Sequence, residues 1–173
     1  EERAGEHIAR AVQVGKSVAL CSDGGYPGIS DPGYRIIRFA AQNNLPFDII
    51  PGASAVELAL LYSGLPTSSF TFKGFPPRKP GALRSFFAEE SQAPHTLVFF
   101  ESPFRVAHSL KAALEVLGDR EAAVCVELTK AHERVQRGFL SDLIPLFDGK
   151  TVKGEVTIAV AGANPKFARI PSV

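Results

Sequence analysis

Four stretches of this 173-residue sequence carry groups that could do chemistry. Residues 22–33 read S-D-G-G-Y-P-G-I-S-D-P-G, a loop too rich in glycine to be regular. Small residues after a strand let backbone N–H groups approach a ligand, and a following helix presents a positive N-terminal end. The same pattern also suits a plain tight turn. It is not G-x-G-x-x-G, and no G-K-[ST] follows, so neither a dinucleotide fingerprint nor a P-loop is present. Residues 51–55, P-G-A-S-A, form a second such loop, in which Ser54 can equally be a helix N-cap. Residues 100–105, F-E-S-P-F-R, place Glu101 and Arg105 at a strand end, as a mutual pair or as cleft lining. Residues 127–133, E-L-T-K-A-H-E, hold Glu127, Lys130, His132 and Glu133, either an acid/base cluster or a solvated face.

The remaining chemistry is narrower. Residues 71–88 contain Lys73, Arg78, Lys79 and Arg84 without an acidic residue. With Phe72, Phe75 and the loop prolines they could contact nucleic acid, although ordinary surface charge explains them as well. The four histidines show no metal-ligand spacing, and no G-x-S-x-G elbow occurs. A metal site is not expected.

The elements that must position these groups alternate. An amphipathic helix over residues 2–14 stops at Gly15. Residues 17–22 (S-V-A-L-C-S) and 47–50 read as short apolar strands, each followed by one of the two loops. Asp31-Pro32 reads as N-cap and first-turn proline of a helix ended by Asn43-Asn44. Residues 55–63 read as a helix closed by Gly64. Strand, loop, helix, repeated, is the order of a parallel α/β sheet, and ligands sit at the carboxyl ends of such strands. Beyond residue 65 the texture changes. Strands are predicted at 69–73, 95–100, 122–127, 133–139 and 155–161. Helices are predicted around Leu83, Phe86 and Phe87, after Ser102-Pro103 with Phe104, Ala107, Leu110, Leu114 and Leu117 on one face, and at 141–147. The fold class is therefore α/β in two layers. Residues 1–65 form an N-terminal domain with a parallel sheet, and residues 66–173 a C-terminal domain with a mixed sheet.

Composition sets the outer bounds. Hydrophobic residues make up 45% and charged residues 21%, which is globular and not disordered. Net charge is +1, and the second part is the basic one: five Lys/Arg against seven Asp/Glu in residues 1–70, fourteen against eleven in 71–173. No apolar run reaches the roughly 18–20 residues of a membrane span. Cys21 and Cys125 both lie in apolar runs and are expected to be buried thiols of a reducing compartment, which places the protein in the cytoplasm. There is no methionine.

Taken in order, the motifs resemble the RsmI-type methyltransferases of the tetrapyrrole-methylase superfamily. The carriers are S-D-G-G-Y-P-G-I-S-D-P-G, P-G-A-S-A, G-L-P (64–66), G-F-P-P (74–77), F-F-E-S-P-F-R (99–105), E-L-T-K-A-H-E and K-G-E (153–155). The resemblance runs from about Glu1 to Gly162 and implies 2′-O-methylation of a cytidine ribose in small-subunit ribosomal RNA. It further implies S-adenosylmethionine as cofactor, a homodimer, and no membrane partner. By position, Asp23, Gly24, Tyr26, Gly28 and Ile29 would wrap the cofactor, with Ser54 and Ala55 from the second loop. The backbones near Phe100, Leu128, Glu155 and Val156 would complete the cradle. Lys130, Glu133, Glu101 and Arg105 are the expected catalytic set. Arg105 with Lys73, Arg78 and Lys79 would hold RNA phosphates. Tyr26 stands where the family usually has Thr, and Gly28 where it has a large aliphatic residue. The family's T-P-I-G-N-L loop and E-D-T-R segment do not occur in this sequence, so the chain is read as starting inside the first domain. Two alternatives stay open: C-methylation of a tetrapyrrole, and a non-catalytic module that only dimerises or binds a nucleotide.

Overall fold

The computed structural model describes residues 2–169. The described chain divides into two compact units, Glu1–Ser54 and Ala55–Val173.

The first unit packs helix α1 (Glu2–Gln13) on α2 (Tyr34–Gln42). The helices meet where Gly5 lies under the Phe39 ring; a Cβ on Gly5 would sit 2.9 Å from Phe39 Cγ. Gly15, at φ 78°, ends α1 as sequence predicts. The N–H of Gly15 bonds to Val12 O and that of Lys16 to Ala11 O, the paired bonds of a Schellman stop. Two expectations fail here. Residues 17–22 and 47–50 form no strand, and their apolar side chains face outward, with Ile50 86% exposed. A strand exists only through a paired neighbour, and none runs beside them among the described residues. The parallel sheet expected in this part is therefore not formed by them. Cys21 is accordingly exposed, not buried. Helix α2 also starts later than expected. Asp31 and Pro32 remain in the turn, and Gly33 at φ 133° is the N-cap.

The second unit is a helix–sheet–helix sandwich. Its strands are β1 (Phe70–Phe72), β2 (Thr96–Glu101), β3 (Glu121–Val126), β4 (Arg134–Phe139) and β5 (Val156–Val160). They form one mixed sheet in the order β1-β2-β5-β3-β4. β1 and β2 are parallel, joined through α4 (Pro80–Ala88); every other neighbouring pair is antiparallel. All five strand expectations beyond residue 65 are met within a residue or two.

Period-two alternation separates the two sheet faces. Leu97, Phe99, Val124, Val126, Ile158 and Val160 pack against α4, α5 (Val106–Leu117) and α6 (Leu140–Phe147). Val98, Ala123, Cys125 and Ala159 face α3 (Ala55–Ser63). The second face carries smaller side chains, and Ala59 of α3 is fully buried against it. Both faces of the central strands are covered, which is why β2, β3 and β5 read as unbroken apolar runs. Burial pushes the Cys125 thiol up to about 11, so it stays protonated and unreactive. Helix α5 begins at Val106, after a turn in which the Arg105 N–H bonds to Ser102 O. Phe104 thus precedes the helix and lies outside its apolar face, contrary to expectation.

Candidate functional site

Topology gathers the chemistry of the second unit. β1, β2 and β3 run the same way, since β5 is antiparallel to both β2 and β3. Their carboxyl ends, together with the starts of β4 and β5, therefore share one sheet edge. G-F-P-P, E-S-P-F-R, the E-L-T-K-A-H-E run and K-G-E all sit on it.

One cluster joins the E-L-T-K and K-G-E motifs. Glu127, at φ 54°, turns its carboxylate back so that Oε1 accepts from the Glu155 N–H at 2.8 Å and from Lys130 Nζ at 3.2 Å. Lys130 Nζ also lies 3.1 Å from Glu155 Oε2. Gly154 makes this possible: a Cβ there would fall 2.2 Å from Glu127 Cγ, and the residue sits at φ 100°. The Glu155 backbone and the Lys130 ammonium hold the Glu127 carboxyl below its usual 4.5. The Glu155 and Glu127 carboxylates raise Lys130 above its usual 10.5, so it is an ammonium ion throughout the neutral range. Glu133 stands beside this cluster. Its Oε2 accepts the Thr129 N–H at 2.8 Å, fixing Thr129 at φ 66°. The Tyr62 phenol also bonds Glu133, and that bond raises the phenol's pKa.

The sign of the Glu127 linkage is definite. Its folded pKa is depressed, so its stabilising contribution is complete above its unfolded value and is lost as pH falls through the folded value. Glu127→Gln is expected to melt below wild type at neutral pH and to converge with it in acid. Thermal melts across an acid series check this, and a constant difference would contradict it.

The second cluster is at the end of β2. The Glu101 side chain is fully buried. It accepts the Ser102 N–H at 2.6 Å and the Ser109 hydroxyl, and Arg105 lies 3.6 Å away. Arg105 in turn donates to Pro77 O at 2.9 Å and to Pro76 O at 3.4 Å, bracing the G-F-P-P loop. Phe100 packs edge-on against Phe72 and at a tilt against Phe75, and its N–H bonds to Gly74 O at 2.8 Å. Glu101 and Arg105 are thus internal struts of this edge. No hydrogen bond or ion pair joins them to Lys130 or Glu133 among the described residues.

The basic stretch divides. Lys73 turns inward, 2.6 Å from Glu89 and 3.4 Å from Glu90, with its ammonium over the Phe86 ring. It is not a free loop cation. Arg78 and Lys79 are exposed, and no ion pair or side-chain hydrogen bond holds them among the described residues. Leu128 and Val156 are buried and offer only backbone, whereas Glu155 is exposed.

In the first unit, the glycine-rich loop is held by its own backbone. Ser22 Oγ bonds to Gly24 O and Gly25 O, and the Gly28 N–H to Pro32 O. The Tyr26 phenol reaches the second loop and accepts the Gly52 N–H at 3.1 Å. Gly28 is required where it stands, at φ 84°, because a Cβ would lie 3.2 Å from Ile37 and 3.3 Å from Tyr34 N. By contrast, a Cβ on Gly24 or Gly52 would meet nothing within 4 Å. Two bare backbone faces therefore border open space. Asp23 and Ile29 are exposed beside them, and Ser54 lies half-buried ahead of α3 with Ala55 as its first residue.

Sequence reasoning missed Gly154, Tyr62 and the exposure of Phe104. Only the K-G-E motif carried a signal for the first. Among the described residues, no group of His, Cys, Asp and Glu could hold a metal ion, and no helix is long and apolar enough to cross a membrane.

Comparison with known proteins gives a consistent result. The sequence profile of the Tetrapyrrole (Corrin/Porphyrin) Methylases matches residues 1–144. "Ribosomal RNA small subunit methyltransferase I" of Mycobacterium bovis is 47% identical over 156 residues, covering 90% of this chain and 54% of that protein. The protein of the same name from Halalkalibacterium halodurans is 39% identical over 166 residues, covering 96% and 57%. The chain thus spans little more than half the length of these relatives. Among solved structures, the methyltransferase CobJ superposes with TM-score 0.66 at 16% identity, covering 92% of this chain and 70% of CobJ. Diphthine synthase superposes with TM-score 0.65 at 22% identity, covering 93% and 65%.

Proposed function

From the premise that this chain belongs to the tetrapyrrole (corrin/porphyrin) methylase family, we propose that it serves an S-adenosylmethionine-dependent methyltransferase acting on small-subunit ribosomal RNA. The proposed acceptor is a cytidine ribose 2′-OH. The observation that carries this reading is the 47% identity, across nine-tenths of the chain, to a ribosomal RNA small subunit methyltransferase. That likeness favours RNA over a tetrapyrrole acceptor. The intact Glu127–Lys130–Glu155 cluster speaks against a degenerate fold. The reading extends to a homodimer in the cytoplasm.

S-adenosylmethionine, when bound, supplies an electrophilic methyl group. The bare backbones at Gly24 and Gly52, flanked by Asp23, Tyr26, Ile29, Ser54 and Ala55, are the residues that would hold it. A ribose hydroxyl is a weak nucleophile at neutral pH and needs help losing its proton. Lys130 is charged there, so it does not act as a base. Its ammonium stabilises negative charge developing on the hydroxyl oxygen. Glu127, held ionised by two donors, is a poor proton acceptor. Glu155, the exposed carboxylate beside Lys130, is the acceptor we assign. Glu133 positions the Lys130 turn through Thr129, and Glu101 with Arg105 positions the G-F-P-P loop.

The test uses the full-length protein, methyl-labelled S-adenosylmethionine, and small ribosomal subunits from cells lacking the gene. Label is expected on a cytidine ribose of the RNA. Label on an added tetrapyrrole, or no transfer to either acceptor despite cofactor binding by calorimetry, would overturn the proposal.

A further inference from the structure

A groove lies between the G-F-P-P loop and the E-S-P-F-R turn. Its volume is about 450 Å³, and Phe75, Pro77, Arg78, Ser102, Phe104 and Arg105 line it. Two aromatic rings face outward: Phe104 is 85% exposed and Phe75 59% exposed. An unsupported ring in water is costly to keep, and two flanking one groove mark a contact surface.

The platform is rigid. Phe75 packs at a tilt against Phe100, 5.5 Å between ring centres, and Arg105 pins the loop through Pro76 O and Pro77 O. The charge is one-sided. Arg78 lines the groove as an exposed cation and the exposed Lys79 follows it in the chain, while the groove's sole acidic lining residue, Glu101, is buried and faces Arg105. A flat apolar ring beside exposed cations suits an unstacked base joined to phosphates. It does not suit a paired duplex, whose bases are already stacked.

We propose that this groove seats a single-stranded segment of the RNA substrate, one base stacking on Phe104 and the adjoining phosphates held by Arg78 and Lys79. The inference rests on the RNA reading above and deepens it. The occupant is RNA and not a second copy of the chain, because the rim is cationic and a self-complementary contact would set Arg78 and Lys79 against their own kind.

The test measures binding of a short single-stranded RNA to the full-length protein by fluorescence anisotropy. Phe104→Ala is expected to weaken binding by about tenfold, in line with loss of one base–aromatic stack, and Phe104→Tyr to restore it. Arg78→Ala with Lys79→Ala should flatten the log–log salt dependence by about 1.4, near 0.7 per phosphate contact on a single strand. Cofactor binding and melting temperature should not change. If Phe104→Ala binds RNA like wild type, or shifts the oligomeric state instead, the seat is wrong while the methyltransferase reading stands. If wild type binds no RNA but still binds cofactor, both fail.

Discussion

Replacing Lys130 by alanine is expected to slow the proposed methyl transfer by about 100-fold, near the lower end for loss of one preorganised donor in an active site. The melting temperature should barely move. Lys130 is an exposed side chain whose two carboxylate contacts, at 3.2 and 3.1 Å, are of the kind that adds little to stability. Its value lies in being a fixed positive charge at the sheet edge. The neighbouring carboxylates keep it protonated well beyond neutrality. Deprotonation of Lys130 therefore leaves no limb in the rate profile through the neutral and mildly alkaline range. Lys130→Gln keeps the length and a donor but loses the charge, so it should resemble Lys130→Ala. Lys130→Arg restores charge as a planar fork that Glu127 and Glu155 do not match, and should recover only part of the rate. Single-turnover rates of the full-length variants on small subunits check these outcomes. A Lys130→Ala rate equal to wild type would remove Lys130 from the mechanism.

The edge that carries Lys130 was legible as a set of motifs, and its wiring was not. β2, β3 and β5 announce themselves because both faces are buried and their positions are mostly apolar. Residues 17–22 have the same texture, yet they pair with nothing among the described residues. Apolar character records a demand for burial, whereas pairing depends on chain that lies elsewhere. Helix starts erred in one direction for one reason. Asp31-Pro32 and Ser102-Pro103 both suit a first turn, but each belongs to a tight turn that delays the helix to Tyr34 and Val106. A charged side chain's partner is equally hidden from a local pattern. Lys73 looked like a loop cation, but it lies on the aromatic face of α4 between two glutamates. The bond from Arg105 to Pro77 O and the bond from the Glu155 N–H to Glu127 each span 28 residues of chain, beyond the reach of any local pattern.

Glu101→Ala is expected to destabilise the protein by about 3 kcal/mol, the low end for removing one partner of a buried charged pair. The carboxylate is wholly enclosed, accepts from two donors, the Ser102 N–H and the Ser109 hydroxyl, and faces the Arg105 guanidinium as an ion pair at 3.6 Å. Alanine leaves the fully buried Ser109 hydroxyl without that acceptor and Arg105 without its counter-charge. An orphaned buried donor costs more than the bond it once made contributed. Two controls separate these causes. Glu101→Gln keeps the shape and one acceptor oxygen and should cost less than alanine. Adding Ser109→Ala to Glu101→Ala should recover part of the loss, because both ends of that hydrogen bond are then gone. Urea unfolding reads all three, and an unchanged slope shows that stability moved and not the unfolded state. The effect reaches beyond stability, since Arg105 braces the loop that carries Arg78 and Lys79. RNA binding should weaken in Glu101→Ala even where the protein is fully folded. A Glu101→Ala variant as stable as wild type would mean that the carboxylate is not the strut its burial, two hydrogen bonds and ion pair describe.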